Sequence, residues 1–357
     1  MTPTRAQLVE AFRERGHELW LVGGALRDRL LGKPDVDQDY ATDALPDEIE
    51  AIGQALGARM VTVGKRFGTV GVNVEGRWSE ITTFRGESYS NGTRWPEVTF
   101  GRTIEEDLAR RDFTVNAIAE NAFTGELLDP WGGREDIGRR LIRAVREPAE
   151  RFREDPLRIL RGIRFVSQLD FALEEGTKRG MCATVELLAT LSQERVTAEI
   201  DRLLQGVNPA TGLEVLREIG ALPVILPELA PMPGCDQNRF HQLDVWGHTV
   251  ATVAAIDVAG ADVRLRRWAA LLHDLGKPTV RHLKANGEWG FYRHEIAGAD
   301  IAREMLERLR LGRRGSDLIV LLVRRHMDRP DPEDSRAVRR FMRRLGGHWA
   351  DLLALKR

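Results

Sequence analysis

Cysteine is scarce in the 357-residue sequence: only Cys182 and Cys235 occur, without Cys-x-x-Cys spacing. A disulfide framework and a thiolate zinc site are therefore not expected. No apolar run approaches the roughly 20 residues that cross a bilayer, and the polar segment Met1–Trp20 does not resemble a secretion signal. These absences predict a protein of the reducing cytoplasm without a membrane partner.

An excess of one charge is also missing, since 53 Lys and Arg residues balance 54 Asp and Glu residues. Any binding to nucleic acid must therefore depend on local clusters of charge. Nine arginines lie between Arg139 and Arg164, and arginine suits phosphate contacts. A second cluster consists of Arg336, Arg339, Arg340, Arg343 and Arg344. Solvated helix faces are the alternative interpretation of both.

The chain is too long for one ordinary core, so two or three domains are expected. Strand and helix patterns are mixed in the first third, and after Phe152 the pattern is almost wholly helical. A proline-rich joint near residues 223–234 marks a boundary. The predicted fold class is α+β, with a mixed-sheet head over 1–140, a helical neck and body over 141–234, and a third, all-helical domain over 235–357.

Gly23 and Gly24 lie at a predicted strand-to-helix turn, where backbone N–H groups can approach phosphate closely. Asp37 and Asp39 follow on a predicted strand, and residues i and i+2 of a strand point to one side. Two carboxylates on one face suit Mg²⁺ that also binds substrate phosphates. For an isolated Asp-x-Asp, a solvated acidic edge strand is the alternative.

Several blocks of sequence accompany this pair in a fixed order. They are Gly23-Gly-Ala-Leu-Arg-Asp28, Asp37-Gln-Asp-Tyr-Ala-Thr42, Phe67-Gly-Thr-Val70, Glu80-Ile-Thr-Thr-Phe84, Arg110-Arg-Asp-Phe-Thr-Val-Asn-Ala117, Asp129-Pro-Trp-Gly-Gly133, Arg153-Glu-Asp-Pro-Leu-Arg-Ile-Leu-Arg-Gly-Ile-Arg-Phe165 and Glu194-Arg-Val-Thr-Ala-Glu199. In order and spacing they resemble the family of class II tRNA nucleotidyltransferases and bacterial poly(A) polymerases. That family's head is related to the polymerase β nucleotidyltransferases.

The resemblance implies roles for residues of the head. Asp37 and Asp39 would hold Mg²⁺, and Glu80 would be a third acidic residue, with an ordinary surface carboxylate as the alternative. The nucleotide would be bound by two motifs. The first contributes Gly23, Gly24 and Arg27. The second contributes Arg111, with Asp112 and Asn116 organising the motif.

The resemblance also implies a protein template that selects the base. Asp155 and Arg158 would read the incoming nucleotide, with Arg161 and Arg164 nearby on the same helix. A carboxylate accepts from the exocyclic amine of cytosine or adenine, and arginine donates to ring nitrogen or carbonyl acceptors. A plain surface salt bridge between Asp155 and Arg158 is the alternative.

The implied activity is addition of C or A nucleotides, or both, from CTP and ATP to the 3′ end of tRNA. The segment 85–97 matches the family's flexible loop, but it reads Arg94-Trp-Pro96 where many relatives have Arg-Arg-Pro. Addition of CCA, of CC alone and of A alone therefore all remain open. The alternatives are a bacterial poly(A) polymerase, an HD-type phosphohydrolase or cyclic phosphodiesterase whose head docks RNA, and a non-catalytic RNA-binding protein.

The C-terminal region carries a second candidate site. Its residues resemble the metal ligands of HD-type phosphohydrolases: His248, His273, Asp274, His294 and His326. Imidazole and carboxylate ligands suit a divalent transition metal. HD proteins usually add a later aspartate, and the sequence ends about where one would follow. An incomplete site that serves only as a scaffold or a tRNA platform is the alternative.

Overall fold

The computed structural model describes residues 2–33, 38–88, 97–237, 242–257 and 263–356. Asp37, one member of the predicted metal-binding pair, lies outside these described residues. The chain forms two compact units, which are Met1–Glu154 with Ala172–Gly180, and Asp155–Phe171 with Met181–Arg357. The predicted boundaries at residues 140 and 234 stay a prediction.

The first unit mixes strands and helices. Its strands are β1 (Trp20–Val22), β2 (Asp39–Thr42), β3 (Met60–Val61), β4 (Thr69–Val74), β5 (Arg77–Thr83), β6 (Arg85–Ser88), β7 (Glu97–Phe100), β8 (Ala119–Asn121), β9 (Leu127–Leu128), β10 (Leu141–Ile142) and β11 (Ala172–Leu173). Its helices are α1 (Arg5–Glu14), α2 (Gly23–Leu30), α3 (Pro46–Ala55), α4 (Ile104–Ala109), α5 (Gly133–Arg139) and α6 (Pro148–Glu154).

Seven of these described strands form one mixed sheet in the order β3-β4-β5-β2-β1-β8-β9. Strand β1 runs antiparallel to β2 and β8, whereas β2 and β5 are parallel. The two glycines after β1 and the acidic start of β2 therefore lie at the same edge of the sheet, because Val22 is the register partner of Asp39.

Helix α4 packs on this sheet through its apolar side. Ile104 and Leu108 join a buried cluster with Val22, Ala41 and Phe84. Thr103 begins the helix, since its hydroxyl accepts a hydrogen bond from the N–H of Glu106 at 3.4 Å. This packing places the end of α4, and the arginines that follow it, beside β1 and β2.

The second unit is mainly helical. Its elements include α7 (Leu157–Leu169), α8 (Glu175–Thr184, which begins in the first unit), α9 (Gln193–Leu204), α10 (Pro209–Glu218), α11 (Leu222–Ile225), α12 (Val245–Ala255), α13 (Val263–Leu272), α14 (Lys277–Val280), β12 (His282–Leu283), β13 (Trp289–Gly290), α15 (His294–Arg308), α16 (Arg313–Arg325), α17 (Ser335–Leu345) and α18 (Trp349–Leu355). None of the helices in the described ranges is long and apolar enough to cross a membrane. The predicted α+β class is confirmed.

Helices α9 and α13 are joined by polar contacts at the end of α9. The buried guanidinium of Arg267 donates from Nη1 to the carbonyl oxygens of Leu204 and Gly206, at 2.6 and 2.8 Å. The indole of Trp268 donates to Asp201 at 2.6 Å. The donors of Arg267 satisfy carbonyls that the end of a helix leaves without intrahelical partners, whereas Trp268 satisfies a side-chain carboxylate.

Two details of the secondary structure differ from the sequence-based prediction. The region after residue 140 was predicted to be helical, but β10 pairs with β11 and β12 pairs with β13. Strands of two residues are too short to show a period, although Asn286-Gly287 is a hairpin signal. The segment 85–97 was predicted to be a loop, and its ends lie on the paired strands β6 and β7. Residues 89–96 lie outside the described residues.

Candidate functional site

The turn between β1 and α2 brings three predicted site residues together. Gly23 has a φ of +73°, which favours glycine. A Cβ at this position would lie 3.1 Å from Nη1 of Arg111 and 3.9 Å from Oδ2 of Asp39. Gly23, Asp39 and Arg111 are therefore neighbours, and a side chain at residue 23 would enter the space between the other two.

Two of the predicted acidic residues face one cavity. Asp39 on β2 is the register partner of Glu80 on β5. Both line a cavity of about 200 Å³, together with Thr69, Arg85 and Arg111 among other residues. Carboxylates and guanidiniums share its wall, so it offers oxygen ligands to a hard cation and donors to phosphate oxygens.

Arg27 belongs to a buried polar network. Its Nη1 donates to Oδ1 of Asn116 at 2.7 Å, and its Nε donates to Oδ1 of Asp28 at 3.0 Å. The amide of Asn116 in turn donates to Asp112 at 3.1 Å. The motif Arg110–Ala117 and the start of α2 are therefore locked to each other, and the guanidinium of Arg27 lies beside Gly24, whose Cβ would be 3.4 Å from its Nη2.

Arg110 and Arg111 are both oriented by one buried carboxylate. Asp107 has no exposed side-chain surface, and its two oxygens accept from Arg110 Nε at 2.9 Å and from Arg111 Nη2 at 2.9 Å. Burial alone would raise the pKa of this carboxyl, but Arg111 and Arg110 outweigh it, and the pKa lies below its ordinary value. Asp107 therefore stays ionised and holds the two guanidiniums at the cavity.

Arg85 is a third cation at the cavity. Its Nη2 donates to Oγ1 of Thr69 at 2.7 Å, and its buried Nε has no hydrogen-bond partner among the described residues. Burial, and then the nearby Arg110, lower the pKa of its guanidinium to about 10. A buried donor without an acceptor is costly, so an oxygen of a bound ligand would stabilise it.

Arg151 acts behind these arginines. It is 2% exposed, and its guanidinium donates to the carbonyl oxygens of Arg110 and Arg111, the second at 3.3 Å, and pairs with Glu154. Although it belongs to the arginine-rich stretch 139–164, its guanidinium is therefore occupied by backbone carbonyls. The sequence-based prediction missed Asp107, Arg85 and Arg151. Only the first had a readable signal, because Asp107, Arg110 and Arg111 have i, i+3, i+4 helical spacing.

The predicted template residues belong to the second unit. Asp155 precedes α7, which begins at Leu157, so only the three arginines lie on that helix. The carboxylate of Asp155 accepts from Arg195 at 3.3 Å and from the N–H of Leu157 at 3.1 Å.

The arginines of α7 differ in their surroundings. Arg158 is buried. Arg161 lies over the ring of Phe165, 5.6 Å from its centroid. Arg164 is buried and pairs with Glu199 at 3.1 Å while also lying over Phe165, at 4.4 Å. Arg161 and Arg164 are thus held by contacts within the helical unit.

The predicted HD residues come together around Asp274. Its Oδ2 lies 3.1 Å from Nε2 of His273 and 3.6 Å from that of His248. Its Oδ1 lies 3.3 Å from Nε2 of His294 and 3.7 Å from that of His326. Two groups of potential metal ligands therefore share one buried carboxylate.

Backbone carbonyls set the orientation of three of these imidazoles. Nδ1 of His273, His294 and His326 lies 2.7, 2.9 and 2.7 Å from the carbonyl oxygens of Ala270, Phe291 and Val323. A carbonyl can only accept, so each Nδ1 carries a proton and each Nε2 faces Asp274, where a metal could bind. His294 and His326 bring their Nε2 atoms within 3.1 Å. Neutral imidazoles in this arrangement would repel one another, and a cation would relieve the repulsion.

The charged groups of the cluster shift one another's pKa values. Burial alone would lower the pKa of His273, but Asp274 outweighs burial and raises it above its ordinary value. Burial and the neighbouring His273 lower the pKa of His326 to about 3, which keeps it neutral. Burial alone would raise the pKa of Asp274, but His273 and the other neighbours hold it well below its ordinary value. The cluster opens into a cavity of about 740 Å³ that Lys277, Trp289 and Phe291 also line. Imidazoles that are oriented by backbone carbonyls, together with the ionised carboxylate of Asp274, fit a divalent transition metal.

Three family models match the chain in succession. They are described as the Poly A polymerase head domain (residues 19–143), the probable RNA and SrmB-binding site of polymerase A (residues 170–232) and the HD domain (residues 241–354). Asp39, Glu80 and Arg111 fall within the first match. The five HD residues fall within the third.

The chain is also similar to proteins of known name. It is 44% identical over 270 residues to a CCA-adding enzyme of Geobacillus thermodenitrificans (strain NG80-2), which covers 75% of this chain and 62% of the relative. The crystal structure of the Bacillus stearothermophilus CCA-adding enzyme in complex with CTP matches with a TM-score of 0.73 and 32% identity, over 98% of this chain and 76% of that one. A tRNA nucleotidyltransferase complexed with a primer tRNA and an incoming ATP analog shares the fold, with a TM-score of 0.71 at 23% identity, over 98% of this chain and 94% of that one.

Proposed function

Because the chain belongs to the family of CCA-adding tRNA nucleotidyltransferases and bacterial poly(A) polymerases, we propose that it adds C or A nucleotides, or both, to the 3′ end of tRNA in the cytoplasm. CTP and ATP are the donors, and pyrophosphate is released. The observation that carries this proposal is the meeting of Gly23, Asp39 and Arg111 at one turn, in a head that matches the family's model. The chain spans 62% of the length of the curated relative, so its whole activity is inferred.

The acidic residues of the head would hold Mg²⁺. Asp39 and Glu80 supply hard oxygen donors from adjacent strands, and Asp37 lies two residues before Asp39 in the sequence. When bound, Mg²⁺ neutralises charge on the phosphates and favours release of pyrophosphate. The cavity lining fits this ion because carboxylates and arginines converge there without a thiol or an imidazole.

The basic residues of the head would bind the triphosphate. Arg111 is oriented by Asp107 and Arg27 by Asn116, so both guanidiniums are positioned before the nucleotide arrives. Arg85 contributes the buried Nε described above. The backbone at Gly23 and Gly24 opens α2, where N–H groups favour an anion.

Base selection would fall to Asp155 and Arg158, with Arg161 and Arg164 as their neighbours on α7. Asp155 already accepts from Arg195, which fixes its carboxylate. Cytosine and adenine present an exocyclic amine that a carboxylate can accept from, whereas uracil and guanine present the opposite order at the equivalent edge. In this proposal residues 1–140 form the head, 141–234 the neck and body, and 235–357 the HD domain.

Incorporation of labelled nucleotides tests the proposal. Purified protein is given a tRNA ending at its discriminator base, the same tRNA ending in CC, and an unrelated RNA, each with CTP, ATP or both. Addition of a defined C or A end to tRNA alone is expected. Long A tracts on all three RNAs would favour a poly(A) polymerase. Absence of any addition in the presence of Mg²⁺ would contradict both.

We further propose that the HD cluster is an accessory phosphohydrolase site. This second candidate is supported by the three imidazoles whose Nδ1 atoms are held by backbone carbonyls. Hydrolysis of bis(p-nitrophenyl) phosphate should depend on added Mn²⁺, Co²⁺ or Ni²⁺ and disappear in His273→Ala. Metal binding without hydrolysis would instead indicate a scaffold.

A further inference from the structure

Helix α17 carries a row of arginines that the head and the HD cluster do not use. Arg336, Arg339, Arg340, Arg343 and Arg344 have the spacing i, i+3, i+4, i+7, i+8, which places them on one face. All five are exposed. With about 1.5 Å of rise per residue, the row is about 12 Å long.

Few negative charges compensate this row. Arg340 Nη2 lies 3.9 Å from Oδ2 of Asp334, in a pair that is largely in solvent, and Arg339 donates to the hydroxyl of Ser335. No other ion pair of the five arginines occurs among the described residues. Arginines three and four residues apart repel one another and disfavour a helix. Repulsion within the arginine row therefore destabilises α17. A bound polyanion would neutralise these charges and remove the repulsion.

Two further exposed arginines lie near the turn that follows α17. Arg313 and Arg314 begin α16, are exposed, and line a concavity of about 520 Å³ with His348, which closely follows α17. Asp317 is the acidic residue among its lining. Arg313 and Arg314 thus lie beside the turn that follows α17.

The other face of α17 identifies the kind of partner. Leu345 is 1% exposed and Phe341 is half-buried, and the helix packs against α18 and the turn at residues 346–348. A helix that inserts into a lipid surface needs a free apolar face. Here Leu345 is buried and Ala337, Val338 and Phe341 are partly buried, which leaves Met342 as the exposed apolar side chain of the helix. The arginine row therefore meets its partner mainly through charge.

We propose that the arginine face of α17 binds the phosphate backbone of the RNA substrate. This inference rests on the proposed function for the identity of the RNA. Guanidiniums bind phosphate oxygens in pairs of hydrogen bonds, and such contacts position an RNA without reading its sequence. The arginine face of α17 therefore contributes affinity for tRNA. It does not select the nucleotide, which in the proposed function is bound by the first unit and read by Asp155 and the arginines of α7.

The test compares two variants of the full chain that lose three positive charges each. The first is Arg336→Gln, Arg340→Gln and Arg344→Gln. The control is Arg217→Gln, Arg303→Gln and Arg310→Gln, which removes arginines paired with Glu214, Asp300 and Glu194. Binding of a labelled tRNA that lacks its CCA end is measured by fluorescence anisotropy between 50 and 300 mM KCl.

The first variant should reduce the slope of log Kd against log salt by about two, and weaken binding at low salt about tenfold or more. The control should resemble the unmodified protein. Arg336→Lys, Arg340→Lys and Arg344→Lys should keep the slope, because lysine retains the charge. Equal slopes for the Gln variant and the control would overturn the proposal, as would α17-dependent binding to phosphatidylserine vesicles with unchanged tRNA binding.

Nucleotide addition is measured in the same samples to separate the two proposals. At saturating tRNA the first variant should keep its kcat for CTP incorporation, with a raised KM for tRNA. If the unmodified protein adds no nucleotide, the proposed function fails while the salt slope still tests α17.

Discussion

Asp39 and Glu80 are register partners on the parallel strands β2 and β5, and both line the cavity beside Arg111. Neighbouring carboxylates repel one another, and the arginines around them offset that repulsion. A cation between them would do so more completely. The pair therefore favours the proposed metal-binding cavity over an ordinary acidic edge of a sheet.

Asp39→Ala and Asp37→Ala should each lower the rate of nucleotide addition by about a hundredfold or more, because the main electrostatic stabilisation of phosphoryl transfer is lost. Glu80→Gln should have a smaller effect. Single-turnover incorporation of CTP into tRNA measures this. Asp47→Ala, which removes an 87% exposed carboxylate of the same unit, is the control and should be neutral. A near-normal rate for Asp39→Ala would refute the metal assignment.

Asp107→Asn should raise the KM for CTP and ATP with a smaller effect on kcat. An amide cannot accept equally from Arg110 and Arg111, so both guanidiniums lose their fixed orientation at the cavity. Steady-state kinetics at saturating tRNA give the two parameters. Glu105→Gln, at an exposed position of the same helix, is the matched control. A loss of kcat with unchanged KM values would contradict the proposal that Asp107 positions the two arginines for nucleotide binding.

Asp107 should also make the first unit sensitive to acid. Its folded pKa lies below the ordinary value of 3.8, so its ionised form stabilises the fold at higher pH. That contribution is fully present above the unfolded pKa and is lost as the pH falls below 3.8 through the folded value. Urea unfolding at pH 3 and pH 6 should show a smaller pH effect in Asp107→Asn than in the unmodified protein. An equal pH effect in both would exclude Asp107 as a source.

Asp155→Ala should relax the choice of base more than it weakens triphosphate binding. Loss of one base contact should raise the use of UTP or GTP relative to CTP or ATP by about 5- to 150-fold, as about 1–3 kcal/mol implies. Arg158→Ala should act on the same step, and the double variant should cost less than the sum. The measurement is kcat/KM for the four nucleotides. A uniform loss of rate with unchanged ratios would leave only a structural role.

Removal of metal from the HD cluster should destabilise the second unit without affecting the cavity of Asp39 and Glu80 in the first unit. A divalent ion bound by His273, Asp274 and their neighbours stabilises the native state by mass action. Dialysis against a chelator should lower the Tm, and readdition of Mn²⁺ or Ni²⁺ should restore it. His273→Ala should abolish the metal-dependent change in Tm while nucleotide addition with Mg²⁺ continues. A Tm in His273→Ala that still responds to these ions would place the metal elsewhere.

Sequence patterns predicted the residues of the head that carry a motif. Glycines before a helix and alternating aspartates have a direct physical meaning, and the structure brings Gly23 and Asp39 together. Asp107 was missed because a carboxylate that orients arginines looks like any helical ion pair in sequence. Arg151 was missed because burial of a guanidinium on backbone carbonyls depends on segments some 40 residues apart. Short strands such as β10 and β11 carry too few residues for a period.

The contacts of Arg267 and Trp268 limit how the chain can be divided. A protein cut in the proline-rich joint near residue 234 would separate α9 from α13. The carbonyls of Leu204 and Gly206 and the carboxylate of Asp201 would then lose buried donors, at about 1–3 kcal/mol for each group left unsatisfied. We therefore expect gene fusions or truncations that exchange the region after residue 234 to keep more of its stability when they carry α9 with it.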